Sequence, residues 1–153
     1  MRTFMLTWNP TQGHPSDLSD AIAAIGSGQA WRDDWSTGVR KDVPVGSRVF
    51  LIRQGAEPRG VVAAGYTLTE PKLIAGREGQ SHYCDVSFTA ALNAGLGHLI
   101  SLAELAHTSL LVNVPWGIAG GGREFTSGEA AQLEVLWSAT LRRVGAVELQ
   151  HEA

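Results

Sequence analysis

Two short segments of this chain combine tryptophan with small polar residues in a way that suits recognition of a flat ring. Trp8 and Asn9 end an apolar segment directly before Pro10. A second tryptophan opens the run Trp35-Ser36-Thr37-Gly38-Val39-Arg40. An aromatic face can stack on a nucleobase, and an amide or hydroxyl can form hydrogen bonds with the edge of that base. The two segments therefore indicate a base-binding pocket.

Each of these candidates also has a structural interpretation. The chain contains five tryptophans, and tryptophan is usually a core residue because it buries a large surface. We assign Trp137 to the core and consider Trp35 the strongest candidate for stacking on a base. Asn9 can read a base edge or form an Asx turn before Pro10. The predicted pocket residues are Trp8, Asn9, Trp31, Trp35, Ser36, Thr37, Tyr83 and Trp116.

The charge distribution predicts modest affinity for a phosphate backbone. The formal net charge is −3, from 12 basic and 15 acidic residues, whereas strong nonspecific DNA binding needs clustered lysine and arginine. Half of the basic residues nevertheless fall between positions 32 and 59. This segment can be interpreted as a locally basic strip or as an ordinary surface of mixed charge. The predicted phosphate contacts are Arg40, Lys41, Arg53, Arg59 and Arg123.

The residue types needed for catalysis are scattered along the chain. The five histidines include no pair at metal-ligand spacing, and the sequence has no nucleophile elbow or phosphate-binding loop. The single cysteine, Cys84, lies in a strand-like run and is interpreted as a buried, inert thiol. The glycine run 120–122 is interpreted as a hinge or lid. We therefore expect no metal, no cofactor and no catalytic residue, with His82 or Asp85 as a general base only if the chain were an enzyme.

The elements that would position these residues are short strands interspersed with a few helices. Apolar or alternating segments predict strands at 2–8, 49–52, 61–68 and 83–88, with a bulge at Gly65. Ser16 or Asp17, Ser101, and Thr126 or Ser127 are predicted to cap helices, the last of which covers about 128–143. Segment 29–37 is predicted to be irregular, 38–41 a short strand, and 110–114 a strand or extended segment. The sequence thus predicts an α+β fold with a curled sheet or small barrel flanked by helices.

Several motifs together resemble a known family. Segment 46–51 is similar to a Gly-Asp-x-Val-x-Leu strand, with Ser47 in place of the aspartate. The other matching motifs are Leu6-Thr7-Trp8-Asn9-Pro10, Trp35 to Arg40, Arg53-Gln54-Gly55 through Gly60, and the helix around Trp137. In this order they resemble the EVE domain, a member of the PUA-like group that also contains the YTH readers of methylated RNA. The similarity is closest to the modules at the front of EVE–HNH restriction endonucleases.

The resemblance implies a reader of modified bases rather than an enzyme. The expected ligand is duplex DNA carrying 5-methyl- or 5-hydroxymethylcytosine, with the modified base flipped into an aromatic pocket. The alternatives are a reader of methylated adenine in DNA or RNA, or a PUA-like enzyme that acts on RNA or a small ligand. We expect one domain over residues 1–145, with 146–153 as a tail or the start of a linker to a fused HNH nuclease domain. The sequence has no membrane-spanning run and no secretory signal, so a cytoplasmic location is expected.

Overall fold

The computed structural model describes residues 1–12, 17–74, 79–117 and 120–152. Its strands are β1 (Thr3–Trp8), β2 (Trp31–Gly38), β3 (Arg48–Arg53), β4 (Gly60–Thr67), β5 (His82–Ala91), β6 (Ile100–Ser101) and β7 (Glu124–Phe125). Its helices are α1 (Ser19–Gly26), α2 (Leu102–Ala106) and α3 (Ser127–Val144), and a 3-10 turn spans Ala94–Leu96.

The strands form one mixed sheet in the order β2-β5-β4-β3-β1-β7, with β6 paired to β4 beside this path. β1 lies parallel to β3, and the other pairs are antiparallel. The pairing of β4 with β5 shifts register at Gly65, which confirms the predicted bulge. The predicted α+β class, a curled sheet flanked by helices, is confirmed.

The sheet curls until β1 and β2 approach each other, and the indole of Trp35 links them. Its Nε1 donates a hydrogen bond to the carbonyl oxygen of Thr7 over 2.9 Å. Next to this contact, the main-chain N–H of Gly122 donates to the oxygen of Met5 over 2.7 Å. The segment around Gly122 therefore fills part of the gap between the two strands, which we call the seam.

The glycine run at the seam is a packing feature, not the hinge or lid that the sequence suggested. A Cβ atom at Gly121 would lie 2.8 Å from the carbonyl oxygen of Ser36. Gly122 has φ of +92°, and a Cβ there would overlap the carbonyl oxygen of Thr37. Only glycine allows this backbone to approach β2 so closely.

The two faces of the sheet support two separate hydrophobic clusters. Because strand side chains alternate in direction, Leu6 and Leu51 belong to one cluster while Met5 and Phe50 belong to the other. The inner cluster lies inside the curl under α1. It includes Phe4, Leu6, Trp8, Leu18, Trp35, Val86 and Phe88. The outer cluster is covered by α2 and α3. It includes Met5, Phe50, Leu105, Trp116, Phe125, Leu133, Trp137 and Leu141.

Local signals located most elements correctly. Ser101 and Thr126 both form capping boxes, with Glu104 and Glu129 respectively. Segment 29–37 is different: most of it is strand β2, which pairs with β5 from Trp31 to Ser36 and buries Trp35 and Thr37. The short strand predicted at 38–41 is absent from this region, and residues 110–114 form turns. Ser16 lies outside the described residues.

A buried ionic cluster fastens residues 146–152, predicted as a tail or linker, against the sheet. Arg48 on β3 is 3% exposed. Its guanidinium donates two hydrogen bonds to Glu148, over 2.6 and 2.9 Å, and two to Glu134 on α3. Glu148 also accepts from Thr89 over 2.6 Å and from the Nε1 of Trp137 over 3.1 Å. Burial disfavours the charged form of Glu148, but the hydrogen bonds and charge of Arg48, together with the hydrogen bonds from Thr89 and Trp137, outweigh burial and hold the pKa of this carboxyl below its usual range.

We expect Glu148→Gln to lower the free energy of unfolding by about 3 kcal/mol, the scale for removing one partner of a buried ion pair. The substitution keeps the volume but removes one of the two charges that face Arg48. Urea unfolding measures the effect, and the exposed Glu152→Gln in the same segment is the control. Equal stability of the two variants would contradict a stabilising role of the cluster.

The free energy of unfolding of Glu148→Gln should depend less on pH in the acidic range than that of the wild-type protein. Because the pKa of Glu148 is lowered in the folded state, its contribution is complete above the ordinary value of 4.5 and is lost as pH falls through the folded value. Wild-type protein should therefore lose more stability than Glu148→Gln between about pH 5 and about pH 3.

Candidate functional site

A cavity of about 420 Å³ opens where β1, β3 and β5 end, beside the beginning of α1. Aliphatic side chains from α1 and from the end of β5 form most of its wall, while Trp8 supplies an aromatic surface and Arg53 a positive charge. The lining residues are Trp8, Asp17, Leu18, Ser19, Ile22, Ala23, Arg53, Leu92, Asn93, Ala94 and Gly95.

Trp8 and Arg53 are held side by side by the parallel pairing of β1 and β3. The guanidinium carbon of Arg53 lies 5.7 Å from the ring centroid of Trp8, within the range of a cation–π contact. Arg53 also donates to the carbonyl oxygen of Pro58 over 2.7 Å. Both side chains are thus fixed before any ligand arrives, which lowers the entropic cost of binding.

Asp17 adds a negative charge to the lining of the cavity. Oδ1 of Asp17 accepts hydrogen bonds from the hydroxyl and the N–H of Ser19, over 2.6 and 3.0 Å. These bonds, chiefly the one from the hydroxyl, hold the pKa of Asp17 below its ordinary value. Asp17 is therefore an acceptor at neutral pH, and it lines the same cavity as the donor Arg53.

Asn9 adopts the structural alternative that the sequence left open. Its Oδ1 accepts from the N–H of Thr11 over 3.0 Å and from the hydroxyl over 2.7 Å, which is an Asx turn. Gly55, with φ of +84°, packs directly against this side chain and has no room for a Cβ atom. Asn9 therefore connects the end of β1 to the turn between β3 and β4.

Trp35 and the residues after it are built into the interior near the seam. Trp35 is 6% exposed, and its ring meets the ring of Phe88 edge-on at a centroid distance of 5.6 Å. Ser36 Oγ accepts from the N–H of Gly38 over 3.0 Å, and the buried Thr37 donates to the oxygen of Arg40 over 2.8 Å. Trp35 supports the cavity indirectly, because its bond to Thr7 fixes the residue that precedes Trp8.

The remaining predicted pocket residues do not come together at the cavity. Trp31 packs against the inner cluster, with its ring centroid 5.8 Å from that of Phe88. Tyr83 alternates with the inward residues of β5 and so faces outward. Trp116 belongs to the outer cluster, and its Nε1 donates to the oxygen of Leu111 over 2.9 Å. Trp8 is the predicted aromatic residue that lines the described cavity.

The predicted phosphate contacts are divided between different parts of the molecule. Arg53 and Arg59 flank the turn near the cavity, where Arg59 donates to Glu57 over 2.7 Å and this bond lowers the pKa of Glu57. Arg40 forms ion pairs with Asp42 and Glu124, over 3.1 and 3.6 Å. Since Glu124 pairs with Phe4, this cluster lies toward the start of β1, about 13 Å from Trp8 along an extended strand.

The other two basic residues are also remote from the turn. Lys41 is exposed and follows Arg40. Arg123 lies over the ring of Phe125 and pairs with Glu129 at 3.5 Å, on the side of the outer cluster. The continuous basic strip suggested by the sequence is therefore two or more separate patches.

Sequence reasoning missed the aliphatic wall and the end of β5. The spacing of Leu18 and Ile22 is typical of the apolar face of a helix, and such a pattern gives no sign of a cavity. Asn93 precedes Gly95 and Gly97 in a segment that is typical of a turn. That pattern alone does not predict the direction of the Asn93 side-chain amide.

Three further observations concern the described residues. Burial, with smaller contributions from Asp85 and Asp34, raises the pKa of Cys84 to about 11, as expected for an inert thiol. In the described part of the chain, no three His, Cys, Asp or Glu side chains are grouped as metal ligands. Among the same residues, no helix is long and apolar enough to cross a bilayer.

No protein-family model and no curated protein matches this chain, but solved structures share its fold. A protein of Pseudomonas syringae aligns with 14% identity and a TM-score of 0.62, covering 88% of this chain and 98% of its own. Human THYN1 in complex with 5-methylcytosine-containing DNA aligns with 14% identity and a TM-score of 0.56, covering 89% and 97%. The YTH domain of Mmi1 aligns with 13% identity and a TM-score of 0.51, covering 93% and 78%. The fold is therefore the PUA-like fold of EVE and YTH domains.

The burial of Trp35 leads to a testable prediction. We expect Trp35→Ala to lower the free energy of unfolding by about 3–5 kcal/mol, the range for deleting a large buried aromatic side chain. Chemical denaturation measures the loss, and Trp35→Phe, which keeps a ring but removes the donor to Thr7, should be intermediate. A Trp35→Ala protein with wild-type stability and impaired ligand binding would instead support the stacking role suggested by the sequence.

Proposed function

We propose that this protein reads modified bases in duplex DNA, with modified cytosine as the ligand, by accepting a flipped base in the cavity beside Trp8. The observation that carries the proposal is this cavity, which combines an aromatic wall, aliphatic side chains and a fixed arginine. Its volume of about 420 Å³ is at the small end of the range for ligand pockets, which suits one base better than a large cofactor. The solved complex of human THYN1, which shares the fold, contains 5-methylcytosine DNA and supports the choice of ligand.

The energies of the expected contacts are compatible with selective reading. Extruding a base costs a few kcal/mol, and stacking on one aromatic side chain returns about 1–3 kcal/mol. A buried methyl group adds roughly 0.8 kcal/mol, which Leu18, Ile22 or Leu92 can provide through apolar contact. Since stacking alone barely offsets the cost of flipping, a modification that fills the aliphatic part of the cavity would decide whether the base stays bound.

Phosphate contacts in this proposal come from the turn near the cavity. Arg59 is partly exposed there, and Arg53 lies at the cavity itself. With a net charge of −3, the protein would bind unmodified DNA weakly. Such a protein suits the role of a specificity module that depends on a second activity, such as a fused HNH nuclease, and it would not cut DNA by itself.

Blocking the cavity tests this proposal without removing a core residue. Ala23 is exposed on α1 and lines the cavity, so Ala23→Trp should fill the space while the helix stays folded. We expect it to abolish the preference for duplexes carrying 5-methylcytosine or 5-hydroxymethylcytosine over cytosine, as measured by fluorescence anisotropy. The matched control is Ala131→Trp, on an exposed position of α3. A wild-type protein that prefers N6-methyladenine would favour the adenine reader, and an unchanged preference in Ala23→Trp would exclude this cavity.

Arg59 should contribute to affinity and not to the choice of base. We expect Arg59→Ala to weaken binding of modified and unmodified duplexes by the same factor and to flatten the log–log salt slope by about one unit. A salt titration on paired duplexes measures both effects. Arg142→Ala, which removes an equal charge from an exposed position at the end of α3, is the control. A change in the modified-to-unmodified ratio alone would make Arg59 a base-reading residue.

A further inference from the structure

The backbone of Asn93 is fixed by hydrogen bonds, whereas its side chain does not cap the turn that follows it. Its carbonyl oxygen accepts from the N–H groups of Leu96 and His98, over 3.1 and 3.2 Å. It occupies the N-cap position of the 3-10 turn Ala94–Leu96, with φ of −87° and ψ of 95°. Asparagine at an N-cap usually accepts a hydrogen bond from the following turn, but the Asn93 side chain makes no such bond. It lines the cavity instead.

The surroundings of Asn93 leave space for a ligand beside the amide. A Cβ atom on Gly95 would lie 3.2 Å from Oδ1 of Asn93, so a larger residue there would crowd the amide. Asn9, by contrast, uses its Oδ1 in the Asx turn with Thr11. The amide that the sequence suggested for base reading is therefore engaged in structure, whereas Asn93 presents a second amide at the cavity.

We infer that Asn93 is a specificity-determining residue of the cavity, and that its amide recognises the hydrogen-bonding edge of the base held beside Trp8. This inference rests on the proposed function. An amide both donates and accepts, so it matches an edge with an amino group next to a ring nitrogen, as in cytosine. The charged acceptor Asp17, which lines the same cavity, disfavours a base that directs a carbonyl oxygen at it.

Selectivity would arise from the penalty on a mismatched edge. In the free protein Asn93 is exposed, so water can reach its amide. A bound base would displace that water, and a polar group then left without a partner costs free energy. Asn93 would therefore discriminate between base edges, while the aliphatic wall would detect the added methyl group.

These two contributions can be separated with bases that differ in only one feature. 5-Methylcytosine and thymine carry the same methyl group but different edges, whereas 5-methylcytosine and cytosine share an edge and differ in the methyl group. Each base is placed opposite guanine in the same duplex, and binding is measured with wild type, Asn93→Leu and Asn93→Ala. Leucine preserves the side-chain size without hydrogen-bonding groups, and Asn113→Ala, at an exposed position away from the cavity, is the control. The different cost of flipping a mispaired thymine is common to all proteins and cancels in the comparison.

We expect the preference for 5-methylcytosine over thymine to fall roughly tenfold in both Asn93 variants, the scale of one base-edge contact. The preference for 5-methylcytosine over cytosine should stay within about twofold of wild type, since hydrogen bonds are not involved in detecting the methyl group. If both preferences fell together, or if neither changed, Asn93 would be a structural residue and the inference would be overturned while the reader function stood. If wild type itself did not prefer the modified duplex, the proposed function and this inference would fail together.

Discussion

Gly121 and Gly122 lie where the sheet closes on itself, at a point where the backbone of one segment meets the carbonyl oxygens of another. A side chain on either glycine would collide with β2, at Ser36 or Thr37. The indole of Trp35 completes the same seam by reaching the oxygen of Thr7. Both faces of the sheet carry a hydrophobic cluster. Without this close approach, the outer edge of β2 would be open to solvent. The rest of the structure depends on that closure.

Closure separates the tryptophans into two populations. Trp8, Trp31 and Trp35 face the interior of the curl, whereas Trp116 and Trp137 pack on the outside under the helices. The outer layer is further fixed by Arg48, which joins β3 to α3 and to Glu148 of the C-terminal segment. Trp8 and Leu18 of the inner cluster, together with Ile22 of α1, line an open space where β1, β3 and β5 end. That is where the cavity beside Trp8 lies.

The electrostatics around this opening differ from those of a general DNA-binding surface. Much of the positive charge is paired within the protein, as with Arg40 and its two acidic partners or Arg59 and Glu57. Under the proposed function, long-range attraction to phosphate would therefore be weak, and discrimination would come from contacts inside the cavity. An aromatic wall can hold any base, so under the proposed function Asn93 and the aliphatic side chains of α1 would be the groups that choose among bases.

The sequence by itself determined the features that depend on neighbouring residues. The helix caps at Ser101 and Thr126, the bulge at Gly65 and the core position of Trp137 follow from short-range patterns and were predicted from them. The fold class followed from the order of such elements. Only the tertiary structure decided that segment 29–37 is largely a strand, that Asn9 forms a turn and Asn93 faces the cavity, and that the basic residues are dispersed. These outcomes depend on which segments meet across the curled sheet, and residue type does not specify the partner of a strand or the direction of an amide. Tryptophan occurs both in cores and in pockets, so its residue type does not distinguish the two. The position of the surrounding backbone does.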